Sequence, residues 1–202
     1  MNDWHEVHLD TADAGVVEGY WRRGQRGSVL LAHGRIYDAE SFRAYGDHLA
    51  DAGYGVLRIN FRTYHGSSVG ALGPDARYED VLGAAHWIRA ETGAPLVALG
   101  ASMGGEAVFN AASREPSAFA ALVGWSPMPL PAAAARSLRT PKLLVWSQRE
   151  GAADLVAEFF SNLSAPKEHY VFPGDAHAQQ LLQGPHAEEL ARRVDAFLLR
   201  FL

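Results

Sequence analysis

Apolar positions along this chain fall into short runs separated by longer amphipathic stretches. Two β-like segments come first, at 4–9 and 16–22; the first alternates, with Trp4, Val7 and Leu9 set among polar residues. A turn at Gly24–Gly27 follows. Six further runs are short, rich in β-branched residues or Leu, and end in or run into Gly, Ser, Asn or Pro: 28–32, 55–60, 96–99, 120–125, 142–146 and 169–172. Runs of this length and texture predict strands buried on both faces.

Between the runs the period changes to that of a helix. Asp38 is a good N-cap, with Phe42, Tyr45 and Leu49 at helical spacing and Gly53 placed to end the turn. Residues 75–90 carry Val81, Leu82, Ala85 and Ile88 on one face; 102–113 and 152–163 predict two more helices. The last, 187–202, sets Leu190, Val194, Phe197, Leu198 and Phe201 on one stripe. Strands alternating with helices predict βαβ units and one α/β domain over 1–202: a three-layer α/β/α sandwich with a twisted, mostly parallel sheet of about eight strands. Ligands bind such sheets beyond the carboxyl ends of the strands, so the residues just after each run are the ones to inspect.

Three strand ends carry a serine, an acid and a histidine, in that order: Gly100-Ala101-Ser102-Met103-Gly104, Ser147-Gln148-Arg149-Glu150 and Pro173-Gly174-Asp175-Ala176-His177. A serine hydroxyl is a poor nucleophile until a base removes its proton. A sharp strand-to-helix turn exposes it, and only tiny neighbours such as Gly100 and Gly104 tolerate the close approach of strand and helix. The bare pattern is weak, arising by chance about once in ten chains of this composition. Its setting narrows it, because Leu96-Val97-Ala98-Leu99 precedes it as a buried strand and Glu106-Ala107-Val108-Phe109 follows as a helix.

With these residues in place, the chain resembles the α/β-hydrolase family from Ser28 to its C-terminal helix, in the manner of small lidless carboxylesterases and dienelactone hydrolases. The serine turn looks like that family's nucleophile elbow, His33-Gly34 like its oxyanion-loop motif, and Asn60-Phe61-Arg62 with His65-Gly66-Ser67 like the loop after its next strand. The resemblance implies that Ser102 attacks an acyl carbon, that His177 is the base, and that Glu150 is the acid, with Asp154 the alternative. It implies an oxyanion hole from the N–H groups of Met103 and Arg35, or Ile36 in place of Arg35. Only sixteen residues separate Trp125 from Lys142, room for one short helix and no cap domain. Tyr64, His65, Met128 and Leu130 are the expected substrate contacts. His33 is expected to organise the oxyanion loop, and His86 to pack or cap.

Composition trims the alternatives. Net charge is −5 and no cysteine is present, which argues against a broad nucleic-acid face and excludes disulfides, cysteine nucleophiles and thiolate metal sites. The remaining histidines show no metal-ligand spacing, so no metal or other cofactor is expected. Met1-Asn2-Asp3-Trp4-His5-Glu6 lacks a leader pattern and no apolar run approaches a membrane span; a cytoplasmic monomer or homodimer acting on a small acyl substrate, away from membranes and nucleic acid, is the expectation. Within this fold the reaction is ester or thioester hydrolysis, with amide or peptide hydrolysis as runner-up. Two readings from other classes are a catalytically silent binding module and an interaction protein using an apolar patch at 127–135.

Overall fold

A computed structural model describes residues 4–202; the reading of Met1-Asn2-Asp3 as free of a leader lies outside them. Strands β1 (His5–Asp10), β2 (Val16–Arg22), β3 (Ser28–Ala32), β4 (Gly55–Ile59), β5 (Leu96–Ala101), β6 (Ala121–Trp125), β7 (Lys142–Ser147) and β8 (Lys167–Phe172) form one sheet in the order β1-β2-β4-β3-β5-β6-β7-β8. β2 runs antiparallel to both β1 and β4, and every pairing from β4 to β8 is parallel. The order reverses direction at β3, which has β4 on one side and β5 on the other. That is the switch point at which open α/β sheets form a crevice.

Helices cover both faces, and the two-residue period of the strands decides which core each side chain joins. Leu30 and Ala32 of β3 pack with α2 (Arg77–Thr92), α3 (Met103–Arg114) and α5 (Ala153–Asn162). Val29 and Leu31 of the same strand pack with α1 (Arg43–Asp51) and α6 (Ala187–Leu198). The connection between β6 and β7 holds only the six-residue α4 (Ala132–Ser137), and the described residues form no cap domain. Among the described residues, no helix is long and apolar enough to cross a membrane.

The structure corrects two expectations. β8 begins two residues earlier than predicted and is not buried on both faces: Glu168, His169 and Val171 are exposed. It is an edge strand, and charge on an edge discourages pairing with other chains. Asp38 caps a 3-10 turn, Ala39–Phe42, its side chain accepting from the Glu40 N–H, and α1 starts only at Arg43.

One polar cluster fixes the loop after β4. Arg62 is fully buried, donates from Nε to Asp80 Oδ1 at 2.8 Å, and reaches Asp13 at 2.9 Å. The guanidinium holds the Asp13 carboxyl well below the usual range. Removing one partner of such a buried pair costs about 3–5 kcal/mol.

Candidate active site

The site is assembled at the carboxyl ends of β3, β5, β7 and β8. β5 ends at Ala101, and Ser102 stands between it and α3 with φ 51° and ψ −111°, in a region where an ordinary side chain is strained. Its neighbours explain the glycines. A Cβ on Gly100 would lie 2.2 Å from the Gly104 carbonyl oxygen, and one on Gly104 would lie 2.2 Å from that of Ala32. The turn therefore closes only with glycine at both positions.

The Ser102 Oγ lies 3.0 Å from His177 Nε2, and His177 Nδ1 lies 2.8 Å from Glu150 Oε2. A carboxylate can only accept, so Nδ1 carries the proton and Nε2 of the neutral ring accepts from the serine hydroxyl. The Glu150 side chain is fully buried, whereas 37% of His177 remains exposed. The acid therefore lies behind the imidazole while the imidazole meets solvent. Asp154 is exposed in the first turn of α5 and makes no hydrogen bond to His177.

Two side chains that the sequence did not single out hold this arrangement. Ser126, at the end of β6 with φ 44°, donates from Oγ to Glu150 Oε2 at 2.8 Å and accepts from the Ala178 N–H at 3.0 Å. It thus braces the acid and the histidine loop together. Gln179 is buried and accepts from the Gly34 N–H at 2.8 Å through Oε1, while Nε2 donates to Ser41. Serine after a strand and glutamine in a loop are too common for sequence to mark either.

The loop after β3 is held from beneath. His33 is fully buried; Nδ1 donates to the Gly34 carbonyl at 2.9 Å and Nε2 accepts from the Phe61 N–H at 3.2 Å. Burial pushes its pKa down to about 4, so the ring is neutral in its organising role. With the Gly34 amide taken by Gln179, the N–H groups of Arg35 and Ile36 find no acceptor among the described residues. Both residues line the cleft beside Ser102 and Met103. Met103 opens α3, where the first N–H groups of a helix lack internal partners.

That cleft has a volume of about 360 Å³, within the range of small-molecule sites. Met128 lines it, half exposed, with Ile36 opposite at 80% exposure. Three expected substrate contacts do not line it. Tyr64 turns beneath the oxyanion loop, its hydroxyl donating to the Arg35 carbonyl at 2.6 Å and its ring edge on His33. His65 is exposed and bonded to Asp38 at 2.9 Å. Leu130 is buried in the core that includes Phe159 of α5. The cause at Tyr64 and His65 is backbone: Thr63 and His65 have φ of 76° and 45°, which re-aims the loop.

Elsewhere, His86 neither packs nor caps but pairs with Glu115 at 2.9 Å across the surface. One histidine does meet carboxylates at ligand spacing: Glu6, His8 and Glu18 converge through the antiparallel register of β1 and β2. Glu18 already accepts from Asn60 Nδ2 at 2.6 Å and the Gly66 N–H at 3.0 Å. The 127–135 stretch exposes Met128, Pro131, Ala132 and Ala133 and buries Pro127, Leu130 and Ala135.

The comparisons agree on the fold. A profile of the serine aminopeptidase S33 family matches residues 23–183. An esterase of Pyrococcus furiosus superposes with a TM-score of 0.85 at 21% identity, over 98% of this chain and 91% of that one. A dienelactone hydrolase of Anabaena variabilis gives 0.82 at 21% identity over the full length of both. A predicted CIB-like hydrolase of Thermoplasma acidophilum gives 0.76 at 20% identity, over 96% of this chain and 97% of that one. No curated protein matches the chain.

Proposed function

Since the chain belongs to the serine aminopeptidase S33 family of α/β-hydrolases, we propose that it cleaves a carboxylic ester or thioester of a small acyl substrate through an acyl-serine intermediate. The observation that carries this reading is the unbroken series Ser102 Oγ, His177 Nε2, His177 Nδ1, Glu150 Oε2, with links of 3.0 and 2.8 Å.

Ser102 Oγ attacks the acyl carbon as His177 Nε2 takes its proton, and buried Glu150 balances the imidazolium. The oxyanion is met by the Met103 N–H and by that of Arg35 or Ile36. Such donors contribute about 3–4 kcal/mol each in a studied protease. Collapse expels the alkoxide or thiolate, which leaves with the proton from His177. Water, deprotonated by the same nitrogen, then frees the acid and restores Ser102. Every proton moves through His177, so no cofactor enters the scheme. The names of two structural neighbours, an esterase and a dienelactone hydrolase, favour an ester.

The family's description favours a second reading, removal of an N-terminal amino acid. An aminopeptidase must balance the substrate's ammonium group. Among the described residues lining the cleft there is Arg35 and no carboxylate, and this argues for the ester.

Intact-mass measurement after treatment with a fluorophosphonate tests the reading. One adduct per chain is expected, absent in Ser102→Ala and slowed in His177→Ala. A folded wild-type protein that forms no adduct would instead be a silent binding module. An adduct combined with faster turnover of aminoacyl anilides than of matched esters would favour the peptidase.

A further inference from the structure

The cleft at Ser102 does not end at its own walls. A second cavity of about 380 Å³ lies between α1 and the segment running from the 3-10 turn Ala178–Gln183 into α6, and Tyr37 and Gln179 line both. We propose that the two form one trench, and that the second cavity takes the neutral, unbranched aliphatic chain of the ester. This rests on the acyl-serine reading above and adds a substrate class to it.

Three observations favour this occupant. The first is continuity: Tyr37, half-buried, stands as a shared wall, and Gln179, buried, forms common floor. The second is texture: Ala44 of α1 faces Ala187 and Ala191 of α6 and Leu182 across the cavity. Small side chains on two facing helices leave a slot rather than a bowl, and a slot admits a linear chain while resisting a branched or ring-bearing one. The third is charge. The ionisable side chains lining the cavity are Glu188, His48, Tyr37 and the buried Tyr45; His48 is paired with Asp195 at 2.9 Å, and no Lys or Arg lines it among the described residues. An anionic chain end, carboxylate or phosphate, therefore meets negative charge and no counter-ion. The chain can belong to the acyl or the alkoxy half of the ester, since either fits the same slot.

The experiment measures kcat/KM for two series, p-nitrophenyl esters from acetate to dodecanoate and alkyl acetates from methyl to dodecyl. The wild type should gain in at least one series, by up to about fourfold per buried methylene until the trench is full. Adding a terminal carboxylate to the longest chain of that series should abolish the gain. Ala191→Trp and Ala44→Trp fill the slot from opposite walls, so misfolding of one leaves the other informative. Each should lower the long-to-short ratio at least tenfold. Calorimetry of the same esters on Ser102→Ala reads binding without turnover. Tightening with length that Ala191→Trp or Ala44→Trp in the same background removes would support the trench even if no ester were hydrolysed, and only the acyl-serine reading would then fall. Hydrolysis of short esters with a flat length profile in both series, or a profile that both Trp variants leave intact, would overturn the proposal.

Discussion

The Gln179 side chain accepts the N–H of Gly34 at 2.8 Å, joining positions 145 residues apart in the chain. One end of this bond is two residues past His177 and the other is at the start of the loop that offers the Arg35 and Ile36 amides. The His177 loop and the loop that offers the Arg35 and Ile36 amides are thus tied together by one buried side-chain amide.

Gln179→Ala leaves the Gly34 amide buried without a partner, a cost of about 1–3 kcal/mol. The expected outcome is a kcat lowered by roughly an order of magnitude with KM changed much less, because the oxyanion forms only in the transition state. Steady-state kinetics with one ester checks it. An unchanged kcat alongside lower stability would reduce Gln179 to a packing residue.

The assignment of the acid is tested by Glu150→Ala, Asp154→Ala and Ser126→Ala. Loss of Glu150 frees the imidazole tautomer and should lower kcat roughly a thousand- to ten-thousand-fold. Asp154→Ala, on the outside of α5, should stay within about twofold, as exposed substitutions do. Ser126→Ala keeps the acid but removes its brace and should fall between the two. If Asp154→Ala proved the more damaging, the relay drawn through Glu150 would be wrong.

Ser102, Glu150 and His177 were legible as candidates because each follows a strand: β5 and β7 are buried along their length and stand out as apolar runs, while β8, exposed at Glu168, His169 and Val171, is marked only by its apolar end. Sequence misplaced Tyr64 and His65 because a loop side chain's direction depends on backbone angles such as the φ of 76° at Thr63, which no period encodes. Leu130 looked like a pocket wall because it lies in the short, lidless segment between Trp125 and Lys142; its burial with Phe159 is a tertiary fact. Ser126 and Gln179 stayed hidden for the same reason, since their partners Glu150 and Gly34 lie 24 and 145 residues away.

Acid should weaken the fold through His33. Its pKa is about 4 when folded, pushed down by burial, against about 6.5 in the unfolded chain. Between these values the unfolded state binds more protons, so stability falls as pH drops from about 6.5 to about 4 and levels off below. The slope approaches 1.4 kcal/mol per pH unit for one proton. Urea unfolding from pH 7 to 4 should show this slope in the wild type and lose about one proton's worth of it in His33→Gln. The same slope in both would place the titration elsewhere.

Ser102 should be held in place against its own preference. At φ 51° and ψ −111° a residue bearing a Cβ is strained by about 1–3 kcal/mol. Glycine escapes that strain but gives the unfolded chain more freedom, at a cost of about 0.5–1 kcal/mol. Ser102→Ala keeps the Cβ and Ser102→Gly removes it, and neither has a hydroxyl. The difference in their stabilities therefore isolates the backbone from the hydrogen bond to His177. Ser102→Gly should be the more stable of the two by about 1 kcal/mol in urea unfolding. Equal stabilities, or a less stable glycine variant, would mean that the turn stores no strain at this residue and that the Gly100–Gly104 contact alone shapes it.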